Sequence, residues 1–185
     1  LIGQSDSTHC HRTIDPTNMT VEHLGVTYTL VYTDGSTIYP KSSVLARSGW
    51  AVHFGKKSAH NYASPLHGPT QSTYRAELRA AVHVIQFART PVWIKTDCKS
   101  VAATLRDIIS TNPNPVTVGR ILEGRIAEAD LWQQLVFEIA QSTHRQIKCK
   151  WMPAHLDDPS DETKEVPNES LQKLQDRLAK RQQKL

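Results

Sequence analysis

The chain has 185 residues, 38% of them hydrophobic, which allows one domain-sized core and some flanking sequence. A formal charge of +4 and a pI near 9.0 permit a polyanionic partner without requiring one. The apolar runs are short and broken by charge, so no membrane span is expected, and the polar opening stretch does not read as a secretory signal.

Residues 1–24 are rich in Ser, Thr, Asp and His without periodicity and read as a loose extension or linker, with the domain proper at 25–185. His9, Cys10 and His11 are adjacent ligands with no second pair, a poor zinc site. Thr27–Thr33 is β-branched and aromatic and predicts a buried strand, which the turn residues Asp34-Gly35-Ser36 are expected to end. Arg47–Gly55 and, more weakly, Lys57–Leu66 predict two further strands, close enough in sequence for antiparallel pairing. The period then changes. Ser72–Arg89 predicts a helix with Ser72 as N-cap and Leu78, Ala81, Val82 and Ile85 on its buried face. Pro91–Thr96 predicts a fourth strand, and Ser100–Ser110 a helix stopped by Asn112-Pro113-Asn114-Pro115. A short helix is expected within 116–127, an amphipathic one over Ala129–Ser142, a fifth strand over Gln146–Met152 and a closing helix over Ser170–Gln183. Between the last two lies an acidic loop, with Asp157, Asp158, Asp161, Glu162, Glu165 and Glu169 against Lys164; a basic tail follows it. Strands reached through helices run parallel by right-handed crossovers. The expected fold is therefore α/β: a mixed five-stranded sheet, three antiparallel strands then two parallel, flanked by helices.

Four carboxylates stand out by position. Asp34 and Asp97 follow the first and fourth strands, whose C-terminal ends meet if the strands are neighbours. Glu77 lies on the rim of the first helix's buried face, and Asp176 on the last helix. Clustered carboxylates repel one another unless cations bind, and hard divalent ions with oxygen ligands are the natural occupants. Two such ions roughly 3.5–4 Å apart can hold the attacking and leaving oxygens of a phosphodiester.

In order and spacing, VYTDGS (31–36), TYRAEL (73–78), KTDCKSV (95–101), KWMPAH (150–155) and QDRLAK (175–180) strongly resemble the type 1 ribonuclease H family. The likeness covers about residues 26–180. It implies a ribonuclease H-like fold and an endonuclease that hydrolyses the RNA strand of RNA/DNA hybrids with two Mg²⁺ (or Mn²⁺) ions. By position it makes Asp34, Glu77, Asp97 and Asp176 metal ligands and His155 a mobile proton-handling residue. It places Ser36, Ser72, Thr73, Tyr74, Arg75 and Cys98 at the substrate, with Ser72 on a DNA phosphate. Arg75 and Arg79 either steer phosphate or pair with a carboxylate.

The departures bear on function. Counting without gaps from Asn168-Glu169 puts Gln172 at the fourth ligand position; Asp176, one turn on, is preferred because QDRLAK fits the residues that follow in the family. Thr73 and Tyr74 stand where two asparagines often read the minor groove, and the basic protrusion found in some family members is missing. These departures and the absence of an initiator methionine suggest a piece of a retroelement polyprotein that relies on a neighbouring reverse transcriptase domain. Two alternatives stay open: a weak or inactive connector domain, and a DNA-acting nuclease of the same fold. Cys10, Cys98 and Cys149 are too scattered for a disulfide framework, which suits an intracellular setting.

Overall fold

The computed structural model describes residues 17–141 and 146–153. Thr20–His23 (β1) and Val26–Ile38 (β2) form a hairpin. Its turn, Leu24-Gly25, has φ of 51° and 74°, the two positive values that a tight two-residue connection demands. β1 is one strand more than the five expected, and it falls in the stretch read from sequence as loose. Four residues, TVEH, are too few for a period to register.

β2 runs five residues beyond Thr33. The Asp34-Gly35-Ser36 triplet does not turn, contrary to its composition; it stays extended, paired with Arg47–His53 (β3) from Tyr32↔His53 to Ile38↔Arg47. β1 and β3 share one edge of β2, β1 opposite residues 26–29 and β3 opposite 32–38. Tyr62–Pro65 (β4) pairs antiparallel with β3 and is shorter than expected. The chain before it is a loop, in which the Asn61 side chain accepts from Phe54 N and donates to Gly55 O. Val92–Thr96 (β5) lies parallel to β2, and Ile147–Trp151 (β6) parallel to β5. The sheet order is β4-β3-β2-β5-β6, with β1 added beside β2. The antiparallel-then-parallel arrangement is as expected.

Thr73–Phe87 (α1), Lys99–Ile109 (α2), Pro115–Leu122 (α3) and Ala129–Gln141 (α4) complete the described elements. Leu78, Ala81, Val82 and Ile85 of α1 are fully buried, as their spacing predicts. α1 is covered by β2 and β3 on one side and α4 on the other, α2 packs on β6, and α3 touches α2 and α4. Val31, Val92 and Ile94 supply the sheet's share of the core; Leu105, Ile121, Trp132 and Leu135 supply the helices'. Trp50 and Trp132 are core residues, whereas Trp93 and Trp151 are half-buried. Burial pushes the Cys149 thiol up to about 12, which keeps it unreactive. No described helix is long and apolar enough to cross a membrane.

Candidate metal centre

The parallel ladder between β2 and β5 ends at Thr33↔Thr96. One residue further, β2 continues alone on that edge as Asp34, while the chain leaves β5 as Asp97. α1 passes over the same point because residue 35 is glycine. A Cβ there would collide with the Glu77 amide and sit 2.8 Å from the Ala76 carbonyl carbon. This contact, not a turn, is what the glycine serves. It sets Glu77 against the sheet, and ligand oxygens of Asp34, Glu77 and Asp97 all lie within 4.8 Å of one another. The site therefore brings together three of the four carboxylates picked out in the sequence.

Their surroundings differ. Asp34 is exposed, whereas Glu77 is only 2% accessible. The Gly35 N–H donates to Glu77 Oε1 at 2.8 Å and the Thr96 hydroxyl donates to Oε2 at 3.3 Å. These two donors do not offset burial reinforced by the charges of Asp97 and Asp34, and the Glu77 carboxyl is pushed up to about 8. No lysine or arginine among the described residues forms a salt bridge with it. A buried carboxylate facing two more fits an oxygen-ligated divalent ion by the chemistry of its donor set.

Two supporting residues escaped the sequence reading. Thr96 is 1% accessible; besides donating to Glu77, it accepts from the Cys98 N–H at 3.1 Å, tying the ligand on α1 to the start of α2. Trp151 stands opposite Thr96 in register, and its indole N–H donates to the Asp97 carbonyl at 2.8 Å. The KTD and KW motifs hold both residues, but only strand pairing reveals their partners.

Ser72 caps α1 as expected, its hydroxyl oxygen accepting from the Arg75 N–H at 3.0 Å. The Thr73 hydroxyl donates to Thr37 Oγ1 at 3.1 Å. Ser36 is exposed, two residues from Asp34 on the same face of β2. Cys98 precedes α2, 3.3 Å from the Ser100 hydroxyl. Two other residues are held by the protein's own groups. Tyr74 packs on the core and its hydroxyl accepts from the buried Trp132 indole at 3.1 Å. Arg75 grips both carboxylate oxygens of Asp130, one at 2.9 Å, and also pairs with Glu128. These two carboxylates hold its proton far more firmly than usual, and none of its pairing goes to Glu77. His155, Gln172, Asp176, the Asn168-Glu169 pair, the acidic loop, the closing helix and His9-Cys10-His11 lie outside the described residues.

Residues 27–183 match the RNase H family, and the chain belongs to it. No curated protein matches. Among solved structures, the chain is similar to a foamy viral protease-reverse transcriptase in complex with dsDNA, at 18% identity and a TM-score of 0.47, covering 73% of this chain and 88% of that one. It is also similar to the PFV RNase H domain in solution, at 19% identity and a TM-score of 0.47, covering 65% of this chain and 77% of that one.

Proposed function

We propose that the chain is a metal-dependent endonuclease that hydrolyses the RNA strand of RNA/DNA hybrids. The observation that carries this reading is the convergence of the Asp34, Glu77 and Asp97 carboxylates, with Glu77 buried. In this proposal those three and Asp176 hold two Mg²⁺ or Mn²⁺ ions. When bound, the ions supply an acidified water nucleophile and charge neutralisation at the leaving oxygen. Gly35 and Thr96 fix the Glu77 carboxylate by hydrogen bonds to its two oxygens, and Trp151 anchors the backbone that presents Asp97. His155 would give or take the proton at the leaving group.

Substrate would lie across the start of α1. A helix N-terminus favours phosphate, and the Ser72 hydroxyl hydrogen is not used by its capping bond. Thr73 Oγ1 can accept from a 2′-hydroxyl, the group that distinguishes RNA from DNA. Ser36 and Cys98 border the carboxylates along the chain. Tyr74 and Arg75 would act chiefly by holding that surface in shape, since Trp132, Asp130 and Glu128 engage them. This favours a domain that works beside a neighbour such as a reverse transcriptase, because Arg75, the arginine in the first turn of α1, is already engaged by the protein's own carboxylates.

The test is a hybrid labelled on each strand in turn, with Mg²⁺ or Mn²⁺, for the wild type and Asp34→Asn. Metal-dependent loss of the RNA strand alone, abolished in a folded Asp34→Asn protein, is expected. Retained cleavage in that variant would sink the ligand assignment; cleavage of duplex DNA with hybrids untouched would move the chain to DNA-directed chemistry.

A further inference from the structure

A second site lies on the helix-covered side of the sheet, where α1 faces β3 and β4. A groove of about 390 Å³ there is lined by Trp50, Tyr62, Arg79, His83 and Phe87 among others; Arg75, already paired with Glu128 and Asp130, lies at its α4 end beside Leu131. Tyr62 and His83 stack with ring planes 11° apart and centroids 5.2 Å apart. His83 also packs on Trp50 and Phe87, with centroids at 4.9 and 4.6 Å. The array is not sealed: Tyr62 is 50% exposed and Phe87 62%.

Arg79 adds charge to these rings. Its guanidinium lies over Trp50, 5.4 Å from the ring centroid, and makes a long 3.4 Å hydrogen bond to Gln86. Among the described residues it has no carboxylate partner, in contrast to Arg75 one turn before it. Burial disfavours the charge of both Arg79 and His83, and the Arg79 charge further disfavours protonation of His83. A half-buried cation beside exposed, stacked rings is short of an anion and offers flat apolar faces at the same place.

We propose that this groove binds unpaired nucleotides, one phosphate on Arg79 and a base stacked on an exposed ring face of Tyr62 or Phe87, the two rings that pack on His83. Every base has a π-face, so such a site tolerates sequence and takes RNA or DNA. An acidic peptide would satisfy Arg79 but would leave the stacked rings without a purpose. The proposal does not rest on the carboxylate cluster. The site is built from β3, β4, α4 and the face of α1 that carries Arg75, Arg79 and His83, whereas Glu77 meets Gly35 of β2 and Thr96 of β5.

The experiment is fluorescence anisotropy of labelled oligo(dT) and oligo(U), about eight nucleotides long, with the full chain in chelator, so that hydrolysis plays no part. Binding should weaken about tenfold in Tyr62→Ala and in Phe87→Ala, and stay near the wild-type value in Tyr62→Phe. Arg79→Gln should lower the slope of log affinity against log salt by about 0.7. Unchanged affinity in both ring-removal variants, each shown folded by circular dichroism, would overturn the proposal. So would displacement of the oligonucleotide by poly-glutamate as readily as by unlabelled oligonucleotide.

Discussion

Glu77 is the residue at which folding and function oppose each other. Its carboxyl is pushed from an ordinary value of 4.5 to about 8 in the folded, metal-free protein. The sign follows from linkage. The folded state binds the proton more tightly than the unfolded state, so this group's contribution to stability is fully present below about pH 4.5 and is lost as pH rises through about 8. Glu77→Gln removes the titration. Gln keeps an oxygen to accept from Gly35 and offers an amide to Thr96. In chelator the variant should match the wild type near pH 4.5 and exceed it above pH 8 by on the order of a few kcal/mol. Urea denaturation at the two pH values checks this; a gap that does not widen with pH would show that the buried carboxylate is not the source. The residue itself was legible in the sequence, through its place in TYRAEL. Its environment was not, because Asp34, Asp97, Gly35 and Thr96 come from distant stretches. Asp-Gly-Ser reads as a turn on composition alone, and only the approach of α1 explains the glycine in an extended strand.

At the scale of elements, long periodic segments were the easiest to read. α1, α2 and α4 fall within a residue or two of expectation because each has a buried face that its own spacing declares. β1 and the short β4 were harder, since a neighbour's edge supplies what a four-residue strand cannot. The brace between α1 and α4 was not legible either. Arg75 sits in the first turn of α1; Glu128 lies just before α4, at φ 56°, and its carbonyl accepts from the Leu131 and Trp132 amides. The guanidinium therefore holds a strained residue that starts α4. Arg75→Ala should cost about 1–2 kcal/mol, most of it from leaving the largely buried Glu128 carboxylate unpaired, since Asp130 is exposed. Arg75→Lys, which cannot fork, should recover only part of it. Denaturation midpoints test the pair of variants, and an Arg75→Ala protein as stable as the wild type would refute the brace.

For the whole molecule, metal binding and folding are one equilibrium. An ion that binds the three assembled carboxylates, and not the unfolded chain, stabilises the fold by about 2.7 kcal/mol at 100 times its Kd. Thermal melts with and without Mg²⁺ should show an upward shift for the wild type. That shift should be larger near pH 8 than near pH 5.5, because protons compete for Glu77. It should vanish in Asp34→Asn combined with Asp97→Asn. An equal shift in that double variant would place the ion elsewhere.

The crowding of Asp34 and Asp97 against a buried Glu77 also sets a hazard for anyone who breeds or selects variants of this domain. Heat resistance scored without divalent ions rewards glutamine at 77 and asparagine at 34, since both relieve repulsion at no cost in shape. Such a selection would enrich well-folded proteins stripped of their ligand set, and their gain in durability would be the sign of what they had lost.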